Sequence, residues 1–320
     1  MNLYKFRDFG MIFSDTFAFY KRQFKKLYSG LFRLIWIPLV LFLASLFVVS
    51  RLLDVSVIGK IEDLSGLSDI GTGMLLLSGL GGLILLISSV LLSLFTYSYT
   101  VSYLLLYRDY KDDFDYKDIV ATMRMKSGKI IKYFLMLLAL GFAAILLFSG
   151  LMLLMFAAIS GSNELLIVIL VIFLFLLVVS MLFLVPYVTL SIHNGFIEYM
   201  STEGEGIWTC LNAGFRITRN SLGKNVGSYL VMSILVQIVS GFIAAIPSYL
   251  ILFSAMMSGA DDTAMMESMF LYYVVNIGLN VIVSTMVLPL LQTNMGIIYF
   301  SNQEQSEYIQ SYSEIDEIGQ

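Results

Sequence analysis

Residues 5–53 read KFRDFGMIFSDTFAFYKRQFKKLYSGLFRLIWIPLVLFLASLFVVSRLL, and this stretch decides the fold class. In its first part Phe6, Phe9, Phe13, Phe17, Tyr20 and Phe24 recur at steps of three and four, so they share one face of a helix. Lys5, Arg7, Lys21, Arg22 and Lys25 fall on the other faces. A helix split in this way is expected in a membrane interface, with rings toward acyl chains and cations toward anionic headgroups. The second part, from about Gly30 to Leu53, is an apolar run. It is long enough to cross a hydrocarbon core of about 30 Å, which takes about 20 helical residues.

Composition extends this reading to the whole chain of 320 residues. Fifty-eight percent are hydrophobic and 13% are charged, against about 25% charged in soluble domains. So large an apolar excess needs lipid to cover it, and the expected class is an all-α, polytopic membrane protein. Cys210 stands alone, which leaves no internal disulfide and no cysteine-based metal site. With one histidine and one cysteine, zinc sites and nucleophilic triads are not expected. The long charged region before the first span does not resemble a cleavable signal.

Six spans follow from hydropathy: about Gly30–Leu53, Met74–Tyr97, Tyr133–Ala158, Leu165–Leu190, Val226–Met257 and Phe270–Tyr299. Of the 19 lysines and arginines, all but Arg51 and Lys60 lie before or at the start of span one, between spans two and three, or between spans four and five. The positive-inside rule then predicts a multi-pass protein of a bacterial inner (cytoplasmic) membrane with both termini cytoplasmic.

The arrangement repeats. Tyr116, Ile119, Met123 and Ile130 form an apolar face beside Arg124, Lys126, Lys129 and Lys132. Trp208, Leu211, Phe215 and Leu222 do so beside Arg216, Arg219 and Lys224. The chain therefore reads as one membrane domain, residues 1–300, of three tandem units of about 100 residues (about 1–107, 108–200 and 201–300). Each is an interfacial amphipathic helix plus a transmembrane hairpin, entering from the same side. A short acidic cytoplasmic tail, 301–320, follows.

This layout, with the segment Gly206-Ile-Trp-Thr-Cys-Leu-Asn-Ala-Gly-Phe-Arg-Ile-Thr-Arg-Asn-Ser, resembles the six-span membrane domain attached to some bacterial glycerophosphodiester phosphodiesterases. It also resembles related stand-alone membrane proteins. The ending Gln292-Thr-Asn-Met-Gly-Ile-Ile-Tyr-Phe, followed by Glu304 and Glu307, is similar to such proteins from Bacteroidetes-type bacteria. The soluble phosphodiesterase, with its histidine and acidic metal ligands, has no counterpart in these residues, so the resemblance implies no such activity.

Uncharged polar residues mark the candidate site. Ser89, Ser93, Thr96 and Thr100 share a face of the second span, and Asn276, Asn280 and Ser284 share one of the sixth. Packing between helices is the plainer role for such stripes. The sharper one is a cavity facing the cytoplasm, with Pro186 and Thr189 in span four and Pro289 and Gln292 in span six opening the helix ladder toward it. Lys25, Lys26, Lys126, Lys129, Lys132, Arg216, Arg219 and Lys224 are the expected contacts to the membrane surface. His193 is expected to be solvated or capped at the interface, and Tyr97, Tyr99, Tyr103, Tyr107, Trp36 and Trp208 to form an aromatic belt. No carboxylate lies in a span core, which weighs against ion-coupled pumping.

The function expected from these residues is a non-catalytic membrane scaffold or accessory module. A permease or lipid-handling protein using the polar cavity is the alternative. Neither cofactor nor metal is expected. The expected partners are the bilayer, through anionic headgroups, and other membrane or envelope proteins, with no nucleic acid.

Overall fold

The computed structural model describes residues 1–52, 72–160, 164–257 and 262–318. Among them every regular element is helical: α1 (Phe9–Leu52), α2 (Thr72–Tyr110), α3 (Tyr116–Met125), α4 (Ser127–Ser160), α5 (Glu164–Ser201), α6 (Ile207–Asn220), α7 (Leu222–Met257) and α8 (Asp262–Ile318). Six of these, α1, α2, α4, α5, α7 and α8, are long and apolar enough to span a membrane. The fold is therefore all-α with six candidate spans. Of the loops expected at Asp54–Gly73, Gly161–Glu164 and Ser258–Glu267, residues 54–71, 161–163 and 258–261 lie outside the described residues, whereas Thr72–Gly73, Glu164 and Asp262–Glu267 are helical.

The first amphipathic stretch is not a separate interfacial helix. It runs into its span as one element, α1, which starts where Asp8 accepts the Met11 amide at 2.7 Å. A short N-cap side chain satisfies donors that a helix start leaves open. At the other end, α8 continues through Pro289 and past Tyr299 to Ile318, so the beginning of the acidic tail extends the last span. Ser301 is fully buried and accepts the Arg7 amide at 3.0 Å.

The described contacts form two compact units. One comprises Met1–Phe19, Val101–Val231 and Thr293–Gln320, and the other Tyr20–Thr100 and Met232–Gln292. In the first, α5 and α6 pack almost backbone to backbone. A Cβ on Gly214 would lie 2.3 Å from the Ser191 carbonyl oxygen, and one on Gly195 would lie 3.0 Å from the Leu211 Cα. The turn that returns the chain from α5 to α6 contains Gly204 at φ 81, in the left-handed region glycine enters without strain. In the second unit, Gly278 of α8 sits against Leu43 and Leu46 of α1, and Gly81 of α2 against Val49.

The aromatic stripes face outward. Phe6, Phe9, Phe17 and Phe24 are exposed, while Ile12, Thr16, Phe19, Gln23 and Leu27 are buried. On α6, Trp208 is 64% exposed, and the buried face is Cys210, Leu211, Gly214, Ile217 and Thr218. Lipid solvates large apolar groups as well as a protein interior does, so helices in contact turn small and hydrogen-bonding residues toward each other.

Candidate functional site

Ser93 and Thr96 of α2 and Asn280 and Ser284 of α8 line one cleft of about 210 Å³, together with Ser89 and Thr285. Ser93 and Ser284 are exposed at its mouth. Asn280 donates to the Asn276 side-chain oxygen at 2.8 Å and to its carbonyl at 2.9 Å, and Asn276 reaches Ser248 of α7 at 3.4 Å. The two predicted stripes thus meet, with hydroxyls and amides converging inside an apolar unit. Three of the predicted lining residues do not join them. Thr100 is fully buried and bonds to the Thr96 carbonyl at 2.9 Å, and Gln292 is fully buried as well. Thr189 belongs to the other unit, where it is hydrogen-bonded to Tyr229.

Several expected surface cations are engaged by the protein itself. Arg7 is fully buried, ion-paired with Asp15 at 2.8 Å, and donates to the carbonyls of Asn2, Leu3 and Lys5. It holds the first residues of the chain instead of meeting headgroups. Lys126 donates to the Met200 carbonyl, and Lys129 to the carbonyls of Tyr199, at 2.9 Å, and Thr202. These lysines cap α5, where the last carbonyls lack helical partners and the helix dipole favours a cation. Burial pushes the Lys126 ammonium below the usual lysine range, and the charges of Lys129 and Arg108 add to this. Lys224 lies over the Phe6 ring at 5.3 Å and near Gln305 at 3.4 Å. Lys25, Lys132, Arg216 and Arg219 are exposed, and Lys26 is half-buried.

A buried polar layer in the first unit escaped the sequence reading. Asn194 of α5 donates to the Thr218 hydroxyl at 3.1 Å, and Asn294 of α8 donates to the Thr16 hydroxyl at 3.1 Å. Asn225 donates to the Thr218 carbonyl at 3.1 Å. His193 is fully buried, not solvated. Tyr99, Tyr103 and Tyr107 are also buried, not a belt: Phe19 packs edge-on to Tyr107 at 4.8 Å, and the Tyr107 hydroxyl accepts the N-terminal ammonium at 2.8 Å. Trp36 and Trp208 are exposed, as a belt requires. The missed signal was the density of Ser, Thr, Asn and Gln at the basic ends of the even-numbered spans.

Between α5 and α6 lies a second cleft, of about 390 Å³, lined by Tyr187, Glu198, Glu205, Asn212, Arg216 and Arg219 among others. The α6 positions 209, 212, 216 and 219 recur at three and four, so they share a face, and Glu205 precedes the helix. Glu198 is fixed by the Tyr299 hydroxyl and by Gln303 at 3.3 Å. Among the described residues, neither Arg216 nor Arg219 forms an ion pair. No group of three or more His, Cys, Asp or Glu side chains suited to a metal occurs among the described residues.

No protein-family model, curated protein or solved structure matches this chain.

Proposed function

We propose that this chain is a non-catalytic scaffold or accessory module of a bacterial inner membrane, with both termini in the cytoplasm, that holds envelope proteins or lipids at its basic side. The observation that supports this reading is the division of labour among its cations. Arg7, Lys126 and Lys129 are spent on protein carbonyls and brace the ends of α1 and α5, while Lys132, Arg216 and Arg219 of the same unit are exposed, as is Lys25 on α1. A rigid frame with outward charge is suited to docking, because little ordering remains to be done on association. The resemblance to phosphodiesterase-attached membrane domains fits a supporting role of this kind. The test is purification from native membranes in gentle detergent, read by mass spectrometry for proteins and lipids. A component held by the wild type and lost from a K25E/K132E variant is the expected result. Identical recovery with both would overturn the docking role. Maleimide labelling of a Lys132→Cys, Cys210→Ser chain from the periplasm alone would overturn the orientation.

The cleft shared by α2 and α8 favours a second reading, a permease or lipid-handling protein. Its hydroxyls and amides open at Ser93 and Ser284 on the apolar surface of a span-rich unit. Solute flux or lipid exchange in proteoliposomes that is abolished by S93L/S284L would establish it. An equal rate in empty vesicles would remove it.

A further inference from the structure

The cleft between α5 and α6 carries both signs of charge in one place. Arg216 and Arg219 lie on its α6 wall, Glu198 lies on α5, and Glu205 stands at the entry to α6. Its volume of about 390 Å³ falls in the range of small-ligand pockets, about 300–1,000 Å³. Its place along the chain is as informative as its charge. From Val168 the described side chains of α5 are almost continuously exposed and apolar, and this run ends at Val185. Pro186 is buried, and Tyr187 is the first residue of the cleft. Trp208, beside the cleft on α6, is exposed, as residues at the headgroup level commonly are. A ligand seated here therefore has an apolar surface on one side and charged groups on the other.

We infer that this cleft binds a phosphoethanolamine group, supplied by a zwitterionic phospholipid whose acyl chains lie along the exposed face of α5. The inference rests on the membrane part of the reading above but not on the scaffold role. Guanidinium groups match phosphate oxygens in paired hydrogen bonds, and Arg216 and Arg219 have no carboxylate partner to give up. Glu198 and Glu205 accept hydrogen bonds from a primary ammonium, which a trimethylammonium cannot donate. The same carboxylates repel a headgroup with net negative charge, so the cleft selects against phosphatidylglycerol, whose phosphate alone would suit the arginines. Glu198 is held in place for this by Tyr299 and Gln303.

The test uses the full-length protein in nanodiscs holding ethanolamine, choline and glycerol phospholipids at equal mole fraction, with retained lipid identified by native mass spectrometry. The wild type is expected to enrich the ethanolamine lipid about fivefold, which corresponds to about 1 kcal/mol. R216Q/R219Q should lose this enrichment. E205Q should keep a lipid but no longer discriminate ethanolamine from glycerol. All three substituted side chains are exposed, and size-exclusion profiles are to check that the variants fold. K117Q, at an exposed position of α3 outside the cleft, should behave as wild type. Displacement by free phosphoethanolamine would identify a soluble source of the same group, and resistance to it would identify the lipid. Equal retention of all three lipids, preference for the glycerol lipid, or enrichment that survives R216Q/R219Q would overturn the inference. Those results leave the scaffold reading standing, since that is judged by the protein partners lost in K25E/K132E.

Discussion

The side-chain amide of Asn194 donates to the Thr218 hydroxyl at 3.1 Å, with both groups fully buried where α5 crosses α6. Thr218 in turn donates to the Gly214 carbonyl at 2.9 Å. Because Gly214 is where the two backbones nearly touch, this bond ties the polar layer to the tightest contact in its unit. Thr218→Val keeps the shape and removes the acceptor. It should lower stability by about 1 kcal/mol, as for other hydrogen bonds between membrane helices. Adding Asn194→Leu should cost less than the sum of the single changes, since no amide is then left unpaired. Thermal unfolding in detergent across the four proteins checks this, and strict additivity would show that the bond carries nothing.

Gly214→Ala places a methyl group 2.3 Å from the Ser191 carbonyl oxygen, so the helices must separate. A loss of about 1–3 kcal/mol is expected from overpacking of this kind, visible as reduced monodisperse yield. Gly223→Ala at the start of α7 meets nothing within 4 Å and should leave the yield unchanged.

Arg7 is buried with Asp15 as its charge partner, and Asp15 is 24% exposed. Asp15→Asn leaves the guanidinium among carbonyls alone. Removing one member of a fully buried pair costs about 3–5 kcal/mol, and the partial exposure of Asp15 should bring the cost below that range. Limited proteolysis should then cut within residues 2–8 faster than in wild type, while Arg22→Gln, at an exposed position, should not change the pattern.

The Cys210 thiol is buried on α6, and burial raises its pKa, with the neighbouring Glu205 carboxylate adding to the effect. The thiol form is thus favoured in the folded protein. Its contribution to stability is complete at low pH and is lost as pH rises through the folded-state value. Maleimide should react slowly with the native protein at neutral pH and accelerate only well into the alkaline range. Denatured protein should react quickly at neutral pH. Equal rates in the two states at neutral pH would contradict the burial.

Part of the candidate site could be read directly. Ser93, Thr96, Asn280 and Ser284 converge because stripes of short polar residues on long apolar helices have few other places to go. Glu198 and the tyrosines could not be read in this way. Whether a tyrosine near a span end meets water, lipid or another ring depends on which helix lies beside it. Tyr103 is buried because Phe19, far away in sequence, and Phe114, beyond the end of α2, pack against it at 6.5 and 5.0 Å.

By itself the sequence determined that the chain is helical and rich in membrane-spanning segments, because hydropathy over about 20 residues is a local property and lipid responds to it directly. Only the tertiary structure decided which face of each helix turns inward. Hydrophobic periodicity marks the core of a soluble protein, but beside lipid the same stripe is content to stay outside, as Phe17 and Trp208 do. The inward faces were chosen by close approach and hydrogen bonding, at Gly214, Thr218 and Asn194, and those depend on partners that no single helix contains.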